Sequence, residues 1–229
     1  MIIALFLGIL IGFLTNVPIG PINAAVVTRG LREHFSSGMA VGVGAAFMDF
    51  IYCAAAMYGI SFVSDEPWVN ASVQIAGFVI LLLFGIKSLR THTDMNEMQS
   101  KGQKVQKRVE QKFGLPGPFF LGVLIYLSNP SFFPYWLGVS ALLQKYHLLL
   151  PTHVNNLTFA LGVGSGSALW FYLVLHFILS SKFVMKPSIL NGIYKFSGVA
   201  LLGFAAYLGY RLVMFTDWIG IYKTLTHTL

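Results

Sequence analysis

Six apolar segments, each long enough to cross a bilayer, take up most of the 229 residues and leave few folds open. They lie at approximately 2–28, 39–62, 69–89, 117–143, 155–180 and 193–215. In hydrocarbon the backbone N–H and C=O groups have no water to pair with, so an isolated stretch of about 20 apolar residues must be helical. These segments predict an all-α membrane protein with six transmembrane helices forming a single transmembrane domain over residues 1–229. The charge content agrees: 10% of residues are charged and 56% hydrophobic, with a mean hydropathy of +0.72, whereas a soluble domain carries about 25% charged residues. A chain so poor in charge cannot solvate its own surface. The first segment, opening MIIALFLGILIGFL, has no Lys or Arg before its apolar run and no small-residue cleavage site after it. A retained span is therefore expected there rather than a cleaved signal peptide.

The net charge of +7 is distributed by loop. Arg29 and Arg32 follow the first span. Lys87, Arg90, Lys101, Lys104, Lys107, Arg108 and Lys112 follow the third, and Lys182, Lys186 and Lys195 follow the fifth. Twelve of the 15 basic residues thus lie on one side, while the loop after the second span carries Asp65 and Glu66. Basic residues collect on the cytoplasmic side, which predicts both termini outside the cytoplasm and accounts for an even number of spans. The run KGQKVQKRVEQK, residues 101–112, is read as part of a solvated cytoplasmic connector over 91–115 that fixes topology, in preference to a nucleic-acid or lipid site.

The halves of the chain resemble each other. AVGVGAAFMDFIY from Ala40 matches ALGVGSGSALWFY from Ala160, and GFVILLLFGIKSLR from Gly77 matches GVALLGFAAYLGYR from Gly198. NVPIGP from Asn16 and NPSFFP from Asn129 place Asn-associated proline pairs in spans one and four. Residues 1–90 and 116–215 are therefore predicted to be two three-helix repeats, with 216–229 a short C-terminal tail. An odd number of spans per copy inserts the second copy upside down, an arrangement common among secondary transporters.

Proline inside a helix removes a hydrogen bond and clashes with the preceding turn. Pro18 and Pro21, with Pro130 and Pro134, are expected to break or kink helices 1 and 4. Paired interruptions at matching places in two repeats point to a binding site at the midplane, where half-helix N–H groups can receive a carboxylate. Asn16, Asn23 and Asn129 lie beside the breaks. Asp49 is the sole acidic residue well inside a predicted span; a carboxylate at that depth usually faces a cavity, a partner or a permeant ion. It is expected to attract a substrate ammonium group or to accept a proton as the coupling ion. The substrate-binding set predicted is Pro18, Gly20, Pro21, Asn23, Asp49, Asn129, Pro130 and Trp170, with Asp49 also the proton-coupling residue. Gly38, Gly42, Gly44, Gly162, Gly164 and Gly166 are expected at close helix contacts. Trp170 and Tyr172 are candidate cavity walls, His176 a structural histidine, and Trp68, Trp136 and Trp218 interface anchors. Cys53 is the lone cysteine, which excludes an internal disulfide or a thiolate metal site. No hydrolase, metalloprotease or P-loop motif occurs, so no catalytic residue, metal or cofactor is predicted.

The run VPIGPINAAVVTRGLREHFSSGMAVGVGAAFMDFIYCAAAMYGIS, residues 17–61, resembles the start of LysE/RhtB-type amino-acid exporters, and NPSFFPYW at 129–136 resembles that family's fourth-span Asn-Pro element. The signature departs from the usual form in reading Pro18-Ile-Gly20-Pro21, with its Asn displaced to Asn23. The resemblance implies proton-driven efflux of amino acids or their derivatives across the bacterial cytoplasmic membrane, and Asp49 favours a cationic substrate. The partners implied are an amino acid and the lipid bilayer, with no nucleic acid; a homodimer is left open. Two rival readings are metal-cation efflux, which wants clustered intramembrane ligands, and an intramembrane enzyme or assembly subunit, which wants converging ionisable side chains.

Overall fold

Uninterrupted apolar sequence forms long helices here, and among the described residues the prolines sit at or near helix starts. The computed structural model describes residues 1–17, 20–60, 67–90, 95–114, 117–129, 132–145, 149, 152–180 and 187–215, and its regular structure there is entirely α-helical. The helices are α1 (Ile2–Asn16), α2 (Pro21–Arg32), α3 (Phe35–Ile60), α4 (Pro67–Arg90), α5 (Met95–Phe113), α6 (Pro118–Leu127), α7 (Phe132–Lys145), α8 (His153–Ser180) and α9 (Pro187–Phe215). Pro21, Pro67, Pro118 and Pro187 each open a helix. At that first position the missing N–H has no intrahelical partner to lose.

The predicted second, third, fifth and sixth segments correspond to α3, α4, α8 and α9. The first and fourth each appear as two helices: α1 with α2, which meet at 81°, and α6 with α7. Pro18 and Pro130 lie outside the described residues. Pro134 stands in the first turn of α7, where a proline is tolerated. Among the described residues α3 and α8 are each long and apolar enough to cross a membrane alone, and α1 with α2 make a third crossing if taken as one bent span.

Helices α3 and α8 pack against each other at the centre. Helix α1 lies along α8 and α6 along α3, so each short first helix packs on the long helix of the other half. Helix α4 pairs with α9. Glycines bring the inner helices together: a Cβ on Gly12 would strike the Val163 carbonyl, one on Gly166 the Ile9 carbonyl, and one on Gly122 the Val41 carbonyl. The expected role of the GVG segments in close packing is met at Gly44 against Phe119 and at Gly162 against Leu5 and Gly8. Outward faces carry large apolar side chains such as Phe6, Leu10, Leu83, Phe120 and Phe177, the pattern of a bundle whose solvent is lipid.

The connector after α4 is more than a solvated loop. It forms α5, which lies on α2, with Val109 buried and Val105 packed against the core. Gly102 sits against Ala24 and Thr28. Its period-3.6 pattern places Gly102, Val105 and Val109 on one face and leaves Lys101, Lys104, Lys107, Arg108 and Lys112 on the others.

Candidate functional site

Two apolar layers fill the centre of the bundle. One gathers Val41, Ala45 and Met48 of α3 with Phe171, Val174 and Leu175 of α8; the other gathers Cys53, Ala56 and Met57 of α3 with Phe159, Ala160 and Val163 of α8. Asp49 and Ser167 fall between them, near the middle of their helices. At 1.5 Å per residue, Asp49 lies about 21 Å from the first residue of α3 and about 17 Å from its last. It is 4% exposed.

Four donors from four helices enclose the Asp49 carboxylate. Tyr126 of α6 donates its hydroxyl to Oδ1 at 2.5 Å, and the Trp136 indole of α7 donates to the same oxygen at 3.2 Å. Ser167 of α8 donates to Oδ2 at 2.8 Å, and Asn16 of α1 donates its amide at 3.1 Å. The donors are cross-linked: Trp136 Nε1 lies 3.0 Å from the Tyr126 hydroxyl, and Asn16 Nδ2 lies 2.9 Å from Ser167 Oγ and from the Gly12 carbonyl. A buried charge is tolerated when its lone pairs are satisfied, and both oxygens are. No cation is paired with Asp49 among the described residues.

A second strand of polar contacts leads from this cage to α2. Asn23 Nδ2 donates to the backbone carbonyl of Asn16 at 3.0 Å, and Trp170 Nε1 donates to Asn23 Oδ1 at 2.9 Å. Phe13 packs edge-on against the Trp170 ring, with centroids 5.3 Å apart. Of the residues singled out in the sequence, Asp49, Asn23 and Trp170 are therefore brought into one network with Asn16. Gly20 is the N-cap of α2 and Pro21 its first residue, exposed. Asn129 is half-buried on the turn between α6 and α7, its N–H on the Tyr126 carbonyl at 3.1 Å.

Trp136 corrects the sequence reading. It is 1% exposed and hydrogen-bonded to Asp49, a core residue and not an interface anchor; the side chain of Trp68 and all of Trp218 lie outside the described residues. Tyr172, a candidate cavity wall, faces outward and stacks on His176. Tyr126 and Ser167 gave no signal of their own in the sequence. An aromatic and a serine in apolar helices are unremarkable until folding sets Ser167 beside a carboxylate 118 positions away.

Fold and site together define an all-helical membrane protein organised around a buried, fully hydrogen-bonded carboxylate. The LysE type translocator family matches residues 13–212, and the chain belongs to that family. It is a membrane transport protein and not an enzyme. It is 26% identical over 203 residues to the putative amino acid efflux protein YcgF of Bacillus subtilis (strain 168), covering 89% of this chain and 93% of that one. It is also similar to arginine exporter proteins ArgO. The identity is 26% to that of Salmonella newport (strain SL254) and 28% to that of Salmonella paratyphi B (strain ATCC BAA-1250 / SPB7), each over 179 residues, 75% of this chain and 76% of the relative. No solved structure matches the chain.

Proposed function

We propose that this translocator is a secondary exporter of amino acids or their derivatives, cationic ones foremost, driven by protons across the bacterial cytoplasmic membrane. The observation that carries the reading is the Asp49 cage, which takes one donor each from α1, α6, α7 and α8. A carboxylate held by both halves of the chain is released when the halves part and regained when they close. That is what alternating access asks of a coupling site. The names of the relatives, an amino acid efflux protein and arginine exporters, support the substrate class.

In this reading the chain crosses the membrane six times as two inverted three-helix repeats, with both termini outside the cytoplasm. The reciprocal packing of α1 on α8 and α6 on α3 supports such a relation. The helix interruptions between Asn16 and Pro21 and between Leu127 and Phe132, where Pro18 and Pro130 stand, form the substrate cradle with Gly20, Pro21, Asn23, Asn129 and Trp170. Metal-cation efflux is the weaker reading, because the groups on Asp49 are hydrogen-bond donors, and neither an indole N–H nor an amide NH₂ ligates a metal.

Proteoliposomes under an imposed pH gradient test the proposal against a panel of labelled amino acids. Arginine or lysine should be moved, and Asp49→Asn should abolish gradient-driven movement while the protein stays folded. No transport of any of the twenty, or full transport by Asp49→Asn, overturns it.

A further inference from the structure

Resting on the reading of Asp49 as the proton site, we infer that Ser167 is a positioning residue whose hydroxyl turns over so that the closed cage holds the Asp49 carboxyl in both its ionised and its protonated forms. Hydrogen-bond accounting at the two carboxylate oxygens carries the inference. Oδ1 faces Trp136 Nε1, a donor only, and the Tyr126 hydroxyl, which itself accepts from Trp136 at 3.0 Å. If a proton were placed on Oδ1, the Tyr126 hydrogen would have no acceptor among the described residues, and a buried hydroxyl would be left unpaired.

Oδ2 differs. Ser167 Oγ lies 2.8 Å from Oδ2 and 3.3 Å from the Gly12 carbonyl, and it accepts from Asn16 Nδ2 at 2.9 Å. With the carboxylate ionised, the serine hydrogen points to Oδ2. When a proton arrives on Oδ2, the new carboxyl O–H donates to Ser167 Oγ. The serine's own hydrogen then swings to the Gly12 carbonyl, and Asn16 keeps its contacts. One proton has been gained, none has been orphaned, and no heavy atom has moved. The titratable groups facing Asp49 are Tyr126 from α6, Tyr135 from α7 and Cys53 from its own helix; α1 and α8 present Asn16 and Ser167. Among these groups Ser167 is the one whose hydroxyl has a second acceptor within reach, the Gly12 carbonyl, which it shares with Thr15 Oγ1 at 3.1 Å and Asn16 Nδ2 at 2.9 Å.

Substitution by alanine removes only the hydroxyl, and Asn16 Nδ2 still has the Gly12 carbonyl at 2.9 Å, so Ser167→Ala should fold. The test is infrared difference spectroscopy of the full-length protein in detergent, between alkaline and acidic pH. The wild type should show a carboxyl C=O band on acidification that is missing from Asp49→Asn. In Ser167→Ala that band should move to higher frequency, because the carboxyl O–H has lost its acceptor. A second variant reads the rotation directly. In Ser167→Cys made with Cys53→Ala, the S–H stretch should rise in frequency on acidification, as the thiol leaves a carboxylate for a carbonyl. Adding Asp49→Asn should hold that band still. No carboxyl band in the wild type overturns the Asp49 reading and this inference together. A wild-type band unmoved in Ser167→Ala, or an S–H band indifferent to pH, overturns the role of Ser167 alone.

Discussion

Acidic side chains are held in two different ways in this protein. Asp49 is held by neutral donors inside the bundle, whereas Glu33, just past the end of α2, is held by a serine hydroxyl together with a cation at its surface. Arg29 Nε lies 2.8 Å from Glu33 Oε1, and its Nη1 lies 3.8 Å from Glu110 on α5. The buried Ser37 hydroxyl donates to Glu33, and this bond, followed by the Arg29 charge, holds the Glu33 carboxyl below its ordinary range. A carboxyl whose folded value is lowered adds stability above its unfolded value, about 4.3, and that contribution is lost as pH falls through the folded value. Glu33→Gln should therefore melt below the wild type near neutral pH, and the two should converge in acid. The gap should stay under about 1 kcal/mol, because the pair is partly exposed. Thermal unfolding in detergent at several pH values checks this, and a gap that persists or widens in acid would contradict it.

Helix pairing depends on where side chains are missing. Helices α1 and α8 touch through backbone at Gly8, Gly12, Gly162 and Gly166, and the atoms an added methyl would meet include the carbonyls of Phe159 and Val163, which cannot rotate away. Gly203 on α9 has nothing within 4 Å of the same construction. Gly12→Ala should thus cost about 1–3 kcal/mol from overpacking. Gly203→Ala should be neutral or gain up to about 1 kcal/mol from helix propensity. Opposite shifts in melting temperature are the expected outcome; equal shifts would refute the backbone contact. The GVG segments made this packing legible in advance, because small residues at helical spacing have few other uses in lipid. The packed face of α5 was harder to read, since KGQKVQKRVEQK looks solvated until Gly102, Val105 and Val109 are seen to share one side.

At the scale of the molecule, the orientation proposed above rests on twelve of the 15 basic residues lying on one side. Each basic residue in a short loop resists translocation, so the bias has a single physical direction. Alkaline phosphatase fused after residue 215 should be active, and green fluorescent protein fused there dark. The same reporters inserted in the connector near residue 100 should show the reverse. A fluorescent C-terminal fusion would reject the assignment of both termini to the outside.

What the sequence determined by itself was the solvent and the material: long apolar segments that must be helical in lipid, glycines where helices meet, and one carboxylate too deep to be incidental. It also marked Asn16 and Asn23 as beside an interruption, because a proline's effect is local. Tertiary structure alone decided which groups reach Asp49. Tyr126, Trp136 and Ser167 lie 77, 87 and 118 positions along the chain, and no periodicity relates residues at such separations. Whether a tryptophan faces lipid or donates its N–H to a buried acid depends on which helix lies beside it, and that is settled only when the bundle closes.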